Sequence, residues 1–79
     1  PNPATSSATV SFTLKQSAKN VMLQVYNFNA QQMLQINMGN LMPASYSRTL
    51  NLNNFPQGIY VVLLKYNNQF FKSTLVKGK

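Results

Sequence analysis

The chain has 79 residues, 44% of them hydrophobic, and carries a formal charge of +7 because it contains no Asp, Glu or His beside its seven Lys and Arg; it also has no Cys. Those absences remove the usual general acids and bases, the thiolate and imidazole ligands of zinc and the carboxylate ligands of Ca²⁺ and Mg²⁺, so a catalytic function, a metal and a cofactor are all unexpected. A chain of this size supports one domain with one modest core, unaided by disulfides.

The chain opens on Pro1-Asn2-Pro3, a rigid punctuation that reads as a linker-like start over residues 1–7 and as a boundary with something upstream. From Ala8 the sequence alternates, with Ala8, Val10, Phe12 and Leu14 on one face and Thr9, Ser11 and Thr13 on the other, the period-2 pattern of a half-buried strand. Lys15 to Asn20 is turn-like. A second strand follows in which Val21, Leu23 and Val25 alternate with Met22, Gln24 and Tyr26. Asn27-Phe28-Asn29-Ala30 forms a turn, and Gln31 to Met38 reads as a third strand whose phase slips between Met33 and Leu34, where a bulge is expected.

Gly39 to Ala44 reads as a loop broken by Gly39 and Pro43. In the fourth strand Tyr46, Arg48, Leu50 and Leu52 share a face, which places Arg48 at the rim of the core or at a local twist. Asn53 to Gly58 is a second punctuated turn. It leads into Ile59 to Tyr66, apolar on both faces and therefore expected in the middle of a sheet. The apolar run Ile59–Leu64 is far below the roughly 20 residues of a membrane span. Asn67-Asn68 suits a two-residue hairpin, because Asn tolerates the left-handed conformation such turns demand, and the last strand runs from Gln69 to about Lys77.

Six to seven short strands with regular turn signals and no helical period indicate an all-β fold, an Ig-like antiparallel β-sandwich, with a small barrel as the competitor. Two binding functions deserve weighing. Lysines near strand aromatics (Tyr26, Phe28, Tyr60, Tyr66, Phe70, Phe71) could serve nucleic acid, but the positive charges are scattered and form no block, so nucleic acid is not expected as a partner. Exposed aromatics with abundant Asn and Gln could instead make a small carbohydrate-binding module appended to a secreted enzyme, a reading weakened by the lack of Trp and of carboxylates.

Three motifs remain: Pro1-Asn2-Pro3-Ala4-Thr5 at the start, Leu52 to Tyr60 with its Phe55-Pro56-Gln57-Gly58-Ile59-Tyr60 core, and Lys72-Ser73-Thr74-Leu75-Val76-Lys77 at the end. Each alone has a plain structural use, in fixing φ, opening a strand or keeping an edge soluble. In this order they resemble the C-terminal sorting domain of the type IX secretion system of Bacteroidetes. Val25-Tyr26-Asn27 resembles the family's strand and Tyr-Asp turn, with Asn27 for Asp and Ala30 where Gly is usual, and Phe55 stands for the Leu of the Leu-Pro-x-Gly-x-Tyr signature. The resemblance covers essentially all of the chain and departs from the family in having no acidic turn residues.

The resemblance implies a single sorting domain, residues 1–79, that is the last part of a larger exported protein and serves as an address with no chemistry of its own. It implies the outer-membrane secretion machinery and a sortase-like peptidase as partners, an upstream cargo, and a route through the periplasm to the cell surface or the medium. Recognition is expected on exposed parts of Gly58, Tyr60, Lys72 and Lys77, with Pro1 and Pro3 marking the linker junction and the Gln69–Lys77 strand offering a sheet edge.

Overall fold

The computed structural model describes residues 6–78, and they form six antiparallel strands. β1 (Ser7–Leu14) pairs with β4 (Ala44–Asn51) in a two-stranded sheet, while β3 (Gln32–Leu41), β2 (Ala18–Asn27), β5 (Gly58–Tyr66) and β6 (Gln69–Lys77) form a four-stranded sheet in that order. The two sheets do not close on each other. The fold is the Ig-like β-sandwich expected, and the barrel is excluded.

Alternation does most of the work of assembling it. Val21, Leu23 and Val25 of β2 and Tyr60, Val62 and Leu64 of β5 turn one face of the large sheet inward, and Ala8, Leu14 and Leu50 of the small sheet, with Leu52 just beyond it, meet them. Leu23, Leu50, Leu52, Val21 and Val25 have essentially no exposed surface. Burying a side chain of this size contributes about 1.5–3 kcal/mol relative to leaving it in water. Arg48 lies on the inward side of β4 opposite Val10 yet is exposed, as a rim position requires.

β3 differs from the expectation in length and in contour. Gly39 does not end it: the strand continues to Leu41, and the connection to β4 is only Met42-Pro43. The reason is a set of register shifts. Val21 faces Gly39 while the next residue, Met22, faces Asn37, so β3 carries an extra residue there, and Gly39 adopts φ +70 with its N–H bonded to Asn37 Oδ1. Gly39 is thus a bulge residue, which its conformational freedom permits. The shift at the turn end of the pairing falls at the anticipated place. Val25 faces Leu34 and Tyr26 faces Gln32, so Met33 is supernumerary, and both Met33 and Leu34 pack on the core.

β1 begins at Ser7, inside the stretch expected to be linker, and Ser6 already accepts a bond from Leu52 N–H. Ser7 faces Asn51 and Lys77 faces Gly58, so the start of β1 and the end of β6 both lie beside the short connection between β4 and β5. The Asn67-Asn68 turn lies at the opposite pole, and the long axis between the poles measures 37 Å.

Candidate functional site

The segment from Leu52 to Tyr60 is built as a clamp. Phe55 N–H donates to Leu52 O at 2.9 Å to close a turn, and the Phe55 ring tilts against that of Tyr60 with centroids 5.1 Å apart. Tyr60 is buried, and its hydroxyl reaches back four residues to donate to Pro56 O at 2.5 Å. This is the geometry of a tyrosine corner, in which a phenol ties the incoming connection to the strand that carries it. Gly58 sits at φ +153, a backbone region that favours glycine, so the Pro-x-Gly-x-Tyr spacing answers to local geometry: a fixed φ, a permissive bend and a phenol at the right reach. A second corner repeats the device where β3 crosses to β4, with Tyr46 Oη donating to Met42 O at 2.6 Å.

The closing strand divides sharply by face. Lys77 lies inward opposite Gly58, buried to about the same degree as its core neighbours, with Nζ donating to Gly78 O at 3.2 Å. Lys72 lies on the outer face opposite Leu63 and is exposed. Of the four residues expected to present exposed surface, Lys72 is exposed, Gly58 is half-buried, and Tyr60 and Lys77 are buried because their side chains turn toward the core. β6 is an edge strand of the large sheet, as anticipated. Pro1 and Pro3 lie outside the described residues.

The remaining aromatic groups do not assemble a stacking platform. Phe12 stacks on Tyr46 at 5.6 Å and Tyr66 on Phe71 at 5.5 Å, both pairs satisfying each other across strands. Tyr26 belongs instead to a polar network on the outer face of β2 and β3, which sequence reasoning did not foresee. There Gln24, buried though polar, donates from Nε2 to Gln32 Oε1 and Gln35 Oε1, each at 3.1 Å, and accepts from Tyr26 Oη at 3.3 Å. The signal for it was the pair Gln24 and Tyr26 on the polar side of the β2 alternation, followed across the turn by Gln32 and Gln35.

Among the described residues no group of His, Cys, Asp or Glu could hold a metal, and no helix is long and apolar enough to cross a membrane. The family model for the secretion system C-terminal sorting domain matches residues 1–78, and the chain belongs to that family. A search of curated proteins returns no match. The protein is therefore a C-terminal sorting signal for type IX secretion, which decides against the carbohydrate-binding module. Membership implies interaction with the secretion machinery, an upstream cargo and export to the cell surface or the medium; domains of this family are signals, not catalysts.

Proposed function

We propose that the machinery reads the β5–β6 hairpin, with Lys72 as a contact and Gly58, Tyr60 and Lys77 as the frame that holds the hairpin in place. The observation that carries this reading is the division of the closing motif: one lysine faces solvent on an edge strand while the other is folded against the core. The Gln69–Ser73 half of that edge suits addition of a partner strand, whose main-chain bonds would supply affinity. On this reading the precursor crosses the periplasm, and a sortase-like peptidase removes the domain on its N-terminal side, with Pro1 and Pro3 marking the junction.

The test is a reporter fused ahead of the domain in a type IX-competent bacterium. Wild type delivers the reporter to the surface, deletion of Phe71–Lys79 abolishes delivery, and Lys72→Ala lowers it several-fold without changing the far-UV circular dichroism spectrum. Undiminished delivery by both variants overturns the assignment of the hairpin.

A further inference from the structure

The outer face of the large sheet has two unlike halves. Over β2 and β3 its polar groups bond to one another through Gln24, Gln32, Gln35 and Tyr26. Over β5 and β6 it carries an apolar strip flanked by two lysines: Ile59 stands opposite Val76, Val61 opposite Thr74, Leu63 opposite Lys72 and Phe70 opposite Lys65. Ile59 is 49% and Phe70 61% exposed. β5 is central in its sheet, as its hydrophobicity demands, but only its inner face is covered. Beside Lys65 and Phe70, at the pole of the hairpin, a cavity of about 540 Å³ is lined by Lys19, Asn20, Asn67 and Asn68 among others. Its walls are pre-set, since Asn67 Oδ1 accepts from Lys19 N–H and Asn67 Nδ2 donates to Ser17 O.

Resting on the sorting-signal reading, we propose that this half-face, with Lys65 and Lys72 and the Lys19 cavity at its end, docks an acidic protein surface of the secretion machinery: an apolar ridge over Ile59, Val61 and Leu63, carboxylates beside Lys65 and Lys72, and one carboxylate side chain entering the cavity. The chain's own composition selects the occupant. A second copy would bring +7 against +7 with no acid to offset it. A flat anionic lipid surface has nothing to fill a concave pocket. A protein with flanking carboxylates satisfies the lysines, the apolar strip and the cavity together.

The probe is the detergent-solubilised outer-membrane translocation complex, with the reporter assay in parallel. Lys65→Glu/Lys72→Glu is expected to weaken binding at least tenfold and to lower surface delivery comparably, while Lys65→Arg/Lys72→Arg stays within twofold of wild type. Arg48→Glu, a charge reversal on the other sheet, also stays within twofold. Should the reversed pair fail to fold, Lys65→Gln/Lys72→Gln replaces it, with an intermediate loss expected. The proposal is overturned if Lys65 and Lys72 variants bind as wild type, if Arg48→Glu loses as much, or if Lys65 and Lys72 govern sedimentation with phosphatidylglycerol vesicles but not capture of the complex. A wild-type fusion that is not exported defeats the sorting assignment itself; an exported wild type with an equally exported reversed pair defeats only this surface.

Discussion

Asn27 performs at the β2–β3 turn the service a carboxylate gives in related turns. Its Oδ1 accepts from Asn29 N–H and Gln31 N–H, each at 2.9 Å, and its Nδ2 adds a bond to Gln31 Oε1 that a carboxylate could not make. The absence of acidic turn residues therefore leaves the turn intact. Asn27→Ala should cost about 0.5–1.5 kcal/mol in urea unfolding, since two solvent-exposed backbone donors exchange their acceptor for water, whereas Asn27→Asp should stay close to wild type. Ala30 in the same turn holds φ +64, where a Cβ costs roughly 1 kcal/mol, so Ala30→Gly should raise stability by about that amount. Tyr60→Phe should lose about 1–3 kcal/mol by leaving Pro56 O without its phenol while the ring stays packed, a difference that thermal unfolding resolves.

Each strand was legible wherever one face is buried, because alternation then ties sequence to side. β1, β5 and β6 emerge within a residue of their observed ends. The limit shows at β3, where Gly39 looks like a breaker but acts as a bulge: local sequence cannot tell an interrupted strand from one that carries an extra residue, since the partner strand decides. The Asn67-Asn68 turn was legible for the opposite reason, as both residues take the positive φ (50 and 63) that few others tolerate. At the site, the order of motifs identifies the address, but its burial was hidden. Tyr60 and Lys77 read as surface groups in sequence, and only the pairing of β5 with β6 shows which lysine turns inward. Leu52→Ala, in the connection that joins β4 to β5, should destabilise by roughly 2–5 kcal/mol, because Leu52 has no exposed surface and its removal leaves a cavity. Chemical denaturation would show that loss as a fall in midpoint at unchanged slope.

A molecule with no Asp, Glu or His has nothing but its chain termini to titrate between about pH 3 and pH 8. Acid unfolding ordinarily works through native-state carboxylates and buried imidazoles, so the melting temperature should be flat across that range at constant ionic strength, within about 3 °C. Salt should raise it instead, by screening self-repulsion among seven positive charges. Any pH dependence of docking would then report the partner's groups. The placement of the strand ends has a further consequence. Ser7 and Lys77 emerge at the pole of the β4–β5 connection, and the Lys19 cavity occupies the other. A passenger joined ahead of Ser6 thus departs from one end of a 37 Å rod, leaving the far end clear. On the proposed docking, the Lys19 end of the grip is the part set furthest from the luggage, so a carboxylate reaching that end would meet the same groups whatever the passenger's size or shape.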